Sequence, residues 1–146
     1  MDAWQRLSEI SKLQFVARSA NDSGWNGTGN GAVLVAKLDA NTIMFTETGQ
    51  WKSGTGQELN FNNVFRWSFD ASGGTIRLEH LRYGSNNPVY LFDLALKDDN
   101  MWHSITPHVC RDDSYAAIMN LAVDHIELRW TIKGPQKDEN IHYWYS

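Results

Sequence analysis

The chain carries a single cysteine in 146 residues, which excludes an internal disulfide and any zinc site built from several thiolates. It also lacks a cationic surplus. Lys and Arg number 13 against 17 Asp and Glu, a net charge of −4 with a pI near 5.6. That balance argues against a general nucleic-acid binder, which needs cations to neutralise phosphates. No segment approaches the roughly 18 consecutive apolar residues of a membrane-spanning helix. The first twenty residues have neither a basic start nor an unbroken apolar run, and Asp2, Arg6, Glu9 and Lys12 are spread through them. No secretory leader is expected there, and a cytoplasmic, reducing location is the default. No linker, low-complexity tract or repeat divides the chain. A single domain over 1–146 is expected, long enough to bury a core without staples.

What stands out among the residues present is aromatic: 7 Trp, 5 Tyr and 6 Phe, or 12% of the chain. Asp2 followed three residues later by Gln5 has the form of a capping box, and Trp4, Leu7 and Ile10 recur at helical spacing. These predict a short helix over 2–11. From Lys12 the period changes to two, with Leu13, Phe15, Ala17 and Ser19 on one face of a strand. The stretch 22–31 then carries Gly24, Gly27, Gly29 and Gly31. A phosphate-cradling loop would need a helix after it, and a P-loop a terminal Lys-Ser/Thr; neither follows, so a turn and strand entry is the expectation. Further strands are predicted at 31–39, 42–53, 58–70, 75–84, 88–96, 108–122, 125–133 and 140–146, with a polar loop from Lys97.

About nine strands joined mostly by short loops imply antiparallel up-and-down pairing. A sheet of that length curls, and closure removes its edges. The expected fold is therefore all-β: a closed barrel of about 8–10 strands with the short N-terminal helix at one end. An immunoglobulin-like sandwich is the rival, with Greek-key crossovers and shorter strands.

Strand parity proposes the interior. Ile43, Phe45, Glu47, Gly49 and Trp51 share one face; Leu59, Phe61, Asn63, Phe65, Trp67 and Phe69 share another; so do Ile126, Leu128, Trp130 and Ile132. Glu47 and Asn63 interrupt otherwise apolar faces. A buried carboxyl or amide must be paired, neutralised, or in contact with water or ligand. A structural bond, such as Glu47 to an arginine or to backbone, stands beside a second reading, a polar anchor in an apolar cavity.

The densest chemistry is His108-Val-Cys110-Arg-Asp112-Asp113-Ser-Tyr115. Three readings stay open: a Cys110–His108 nucleophilic pair, a weak metal set of His108, Cys110 and an Asp, and a structural or pocket-lining network. Glu79-His80 and Asp124-His125 are adjacent acid–histidine pairs, and neighbours on a strand point to opposite faces, so neither is expected to form a dyad. Lys137, after Gly134-Pro135, falls at a hairpin tip, as a solubilising charge or as a cation at the barrel mouth.

These residues carry a resemblance. Trp4 to Arg18, Trp25-Asn-Gly27, Glu47-Thr-Gly49, Asn63-Val-Phe65-Arg66-Trp67, His108-x-Cys110-x-x-Asp113-x-Tyr115 and Gly134-Pro135-x-Lys137-Asp138 resemble a largely uncharacterised family of small bacterial proteins with lipocalin-like, calycin-type barrels. The resemblance implies a barrel with an internal ligand site and brings no established activity. Where the family pattern often has Arg and Tyr, this chain has Asn63 and Phe65, which removes a cation and a hydroxyl from the interior. The leading expectation is a binder of a small hydrophobic or amphipathic ligand, in a cavity of ~300 Å³ or more. Its site residues would be Glu47, Asn63, Phe65, His108, Cys110, Asp113, Tyr115 and Lys137. The alternatives are an enzyme using His108 or Cys110 and an interaction module that forms a homodimer. No residue pattern names a cofactor.

Overall fold

A computed structural model describes residues 2–20, 26–72, 74–105, 108–110 and 112–146, without the side chains of His108 and Cys110. Gly73, Arg111 and residues 22–25 of the glycine-rich stretch, Gly24 and Trp25 among them, lie outside the described residues. One helix, α1 (Ala3–Ser8), precedes eleven strands: β1 (Lys12–Ser19), β2 (Gly27–Asp39), β3 (Thr42–Ser53), β4 (Glu58–Phe69), β5 (Thr75–His80), β6 (Val89–Asp98), β7 (Met101–Ser104), β8 (His108–Cys110), β9 (Asp113–Leu121), β10 (Ile126–Gly134) and β11 (Lys137–Tyr145). All belong to one sheet. β1 pairs with both β2 and β11, and β9 with both β7 and β10. β8 pairs only with β9, so the other ten strands form a closed antiparallel ring. The fold is the expected up-and-down barrel, not the sandwich.

The helix is shorter than the predicted 2–11. The capping box forms, with the Asp2 carboxylate accepting from the Gln5 N–H at 2.8 Å. The helix stops at Ser8 because Ser11 and Lys12 give their N–H groups to the Ser146 carbonyl, which starts β1. Trp4 packs edge-on against Phe69 of β4, while the Arg6 guanidinium binds the carbonyls of Ala122 and His125 between β9 and β10. β4 and β10 stand on opposite sides of the ten-strand ring, so α1 crosses the barrel end from wall to wall. Leu7 is fully buried beneath it.

The interior follows parity. Leu13, Phe15, Ile43, Phe45, Phe65, Trp67, Leu128 and Trp130 are all buried inside. The glycine segment joins β2 instead of ending before it. Gly29 faces the Phe15 ring so closely that a Cβ there would stand 2.2 Å from Phe15 Cε1; the missing side chain makes room for an aromatic one.

Several strand boundaries differ from the pattern, β11 beginning at Lys137 rather than at 140 among them. β5 ends at His80, and Gly84 turns with a φ of 91°. The polar loop expected from Lys97 is a two-residue turn, Asp99–Asn100, leading into β7, which buries Trp102. The predicted strand 108–122 is two strands, because the chain reverses between Cys110 and Asp113.

If α1 is a structural plug, Leu7→Ala lowers the unfolding free energy by about 2–5 kcal/mol, against about 1 kcal/mol for the cap variant Asp2→Ala. Urea denaturation of both checks this, and equal midpoints for Leu7→Ala and the unaltered chain would contradict the plug.

Candidate functional site

The helix-side half of the barrel is solid, filled by Leu7, Leu13, Ile43, Phe45, Trp67, Ile76, Leu94, Met119, Ile126 and Tyr145. The other half is hollow. A cavity of about 250 Å³ is lined by Phe15, Ala17, Trp51, Phe61, Asn63, Phe65, His80, Trp130, Ile132, Glu139, Ile141 and Tyr143. It is smaller than the ~300 Å³ expected, because the indoles of Trp51 and Trp130 and the Phe61 and Tyr143 rings occupy its walls. Phe61, Asn63, His80 and Glu139 are half-buried, so water reaches the cavity among them.

Asn63 and Phe65 therefore line the cavity as strand parity placed them. His80, read in the sequence only as the neighbour of Glu79, and Glu139, not singled out there, supply its other polar groups. His80 stacks on Phe65, with ring centroids 4.7 Å apart. Burial, helped by the charge of Arg82, lowers the His80 pKa, so the neutral imidazole offers one donor and one acceptor. Parity could have found both: Phe65 pairs with His80 across β4–β5, and Ser19 with Glu139 across β1–β11.

Asp113, Tyr115 and Lys137 gather at the rim. Gly134 pairs with Lys137 in the β10–β11 hairpin, and Lys137 Nζ meets Asp113 Oδ2 at 3.3 Å. Lys137 is thus an ion-paired rim residue. Cys110 lies across from Asp113 and His108 across from Tyr115 in the β8–β9 hairpin. The side chains of His108 and Cys110 lie outside the described residues, and with them the nucleophile and metal readings. Among the described residues, no group of three His, Cys, Asp or Glu could hold a metal.

Glu47 is not on the cavity wall. It sits on β3 two residues below Gly49, opposite Asn63, and is fully buried. The Tyr145 hydroxyl donates to Glu47 Oε2 at 2.7 Å, so its partner is neither the arginine nor the backbone expected. Glu47 Oε1 has no partner among the described residues. Burial pushes the carboxyl pKa from 4.5 up to about 7, against the opposing pull of the Tyr145 bond. The buried acid in turn raises the neighbouring phenols: Tyr143 and Tyr145 stay protonated well above the usual range, through burial first and the Glu47 charge second.

One acid–histidine pair departs from the expectation. Asp124 Oδ1 lies 2.6 Å from His125 Nδ1. The two residues sit in the β9–β10 turn rather than on a strand, so alternation does not separate them. Both are at the helix end, remote from the cavity. Glu79 and His80 do diverge: Glu79 turns outward to Arg66 while His80 faces the cavity.

Residues 12–146 match the profile of a family described as "Family of unknown function (DUF6314)". The chain belongs to that family. No protein of curated function matches its sequence. Among solved structures it is similar to a de novo designed fluorescence-activating β-barrel, at 10% identity and a TM-score of 0.44, covering 96% of this chain and 94% of that one. A redesigned β-barrel, mFAP1, bound to DFHBI, is similar at 7% identity and a TM-score of 0.43, with 93% of each chain covered. The fold assignment rests on the strand pairing itself. No helix among the described residues is long and apolar enough to cross a membrane.

The Glu47 shift sets a pH dependence. The unfolded carboxyl loses its proton near 4.5, the folded one near 7. The folded state binds the proton more tightly, so this contribution to stability is complete below pH 4.5 and is lost as pH rises through 7. A shift of that size corresponds to about 3 kcal/mol. Glu47→Gln is expected to remove this loss. The difference in unfolding free energy between the two proteins, measured from pH 4.5 to 8, isolates Glu47 from the histidines; a constant difference would contradict the assignment.

Proposed function

We propose that this protein binds a small, compact, largely apolar ligand in the open half of its barrel and performs no covalent chemistry on it. The cavity carries the reading: aromatic walls closed below by Phe15, Phe65, Trp130 and Tyr143, with a few polar groups at fixed positions. Ligand sites have this composition. An apolar cavity of about 150 Å³ accepts benzene, so about 250 Å³ accommodates a larger ring system. Asn63, His80 and Glu139 would orient its polar edge. Phe65 would face its plane. Asp113, Tyr115 and Lys137 would shape the mouth, with His108 and Cys110 on the adjoining hairpin. Glu47 would act from beneath, holding Tyr145 and so the floor. A bacterial setting, which the resemblance implies, and a cytoplasmic one, the expectation from the sequence, complete the reading.

The experiment fills the hole. Ala17 is buried and lines the cavity, so the extra carbons of Ala17→Leu extend into vacant space. Indole titrated into the unaltered protein is expected to shift the amide resonances of Ala17, Phe61, Asn63 and Ile141. In Ala17→Leu the same titration is expected to give at least tenfold weaker binding with no loss in melting temperature. Indole binding that is unchanged by Ala17→Leu would end this proposal.

A further inference from the structure

The outward face of the barrel carries a second concavity. β1, β11, β10, β9 and β7 lie side by side, and their register sets Val16, His142, Arg129, Ile118 and His103 in one lateral row. The neighbouring row runs Arg18, Asn140, Thr131, Ala116. Short side chains in the middle and long ones around them leave a groove of about 680 Å³, within the range of small-molecule sites.

Its charge is one-sided. Arg18, Arg129, His103 and His142 line the groove, and no carboxylate does, in a chain whose net charge is −4. Elsewhere on the outer wall the arginines are paired across strands: Arg66 with Glu79 and Arg77 with Asp93, each at 3.0 Å. Among the described residues, Arg18 and Arg129 have no such carboxylate. Glu127, two residues from Arg129 on β10, is already engaged. It accepts from the Trp144 indole N–H at 3.0 Å and lies 3.4 Å from His142 Nε2. That engagement fixes the two rings in a face-to-face stack along β11, with centroids 3.7 Å apart, standing up from the groove floor.

We propose that this groove is a binding site, separate from the barrel interior, for a small planar organic anion: an aromatic carboxylate, sulfonate or phosphate. The ring of such a ligand extends the stack on the open face of His142 and lies against Val16 and Ile118. Its anionic group is taken by Arg129 or Arg18, whose guanidinium forks match carboxylate and phosphate oxygens. Period-two alternation keeps the two sites apart: Ala17 faces the cavity and Arg18 the groove.

The probe is 1-anilinonaphthalene-8-sulfonate, titrated into the full chain and followed by fluorescence and by amide shifts. The expected result is one-to-one binding that weakens with salt, at least tenfold weaker binding in Arg18→Glu/Arg129→Glu, and unchanged binding in Ala17→Leu. The shifts should centre on Ile118, Arg129 and His142 in the unaltered protein, a readout independent of whether the double variant folds. Binding unaffected by the double substitution overturns the proposal. So does binding abolished by Ala17→Leu, which would place the dye in the barrel. Equal affinity for the uncharged N-phenyl-1-naphthylamine also overturns it, because the groove would then offer only apolar surface. A dimer joined through this wall would overturn it as well, and light scattering reports that state.

Discussion

Ring closure is the constraint on which the molecule depends. Once β1 pairs with β11 and β9 with β10, no free edge remains among the ten strands, and each residue along them points either inward or outward. Alternation then becomes an architectural instruction. Phe15 must go in and Val16 out; Tyr143 must go in and His142 and Trp144 out. A one-residue slip on any strand would exchange the two sets. The aromatic wealth of the chain follows from the same geometry. A ten-strand ring encloses more volume than aliphatic side chains from one helix and ten walls fill readily, and Trp67, Phe45, Phe92 and Tyr145 occupy it on the helix side.

The division into a solid and a hollow half has a boundary, and Glu47 sits on it. Phe45 below Glu47 packs against Trp67 and Tyr145, while Trp51 above it lines the cavity. A carboxyl in that layer is compatible with the fold because burial raises its pKa to about 7, so it is neutral below that pH, and because it receives one hydrogen bond from Tyr145. It imposes polarity in the one layer where the packing changes character.

Parity made most of the barrel legible. Long strands such as 42–53 and 58–69 show their buried faces by alternation, though Leu59, on the inward parity of β4, is exposed at the open end, and the glycine and Asn/Asp turns mark their ends. What escaped notice was short or broken. β7 has four residues, of which only Trp102 is fully inward and apolar, and its turn of Asp99–Asn100 reads as loop chemistry. The His108–Tyr115 segment reads as one strand because a tight reversal leaves little compositional trace. The site was half legible for the same reason. Asn63 and Phe65 are visible as members of a long strand. His80 and Glu139 carry the parity of Leu78 and Ile141, so strand pairing shows their faces, but their polar chemistry does not mark them as interior. Glu47 is visible as an anomaly, but the distance of Tyr145 in sequence hid its partner.

The seams of the ring differ in how far apart their residues lie along the chain. All but one join strands that follow closely in sequence, through turns as short as Ala40–Asn41 between β2 and β3 or Pro135–Gln136 between β10 and β11. The exception sets Leu13 against Tyr145. Local hairpins form in microseconds, whereas a contact spanning nearly the whole chain waits for everything between to be arranged. The β1–β11 seam is therefore the slow coordinate of folding. Until it zips, the chain is an open curled sheet with two bare edges, and the helix that caps the barrel, anchored to the start of β1, has no end to cap.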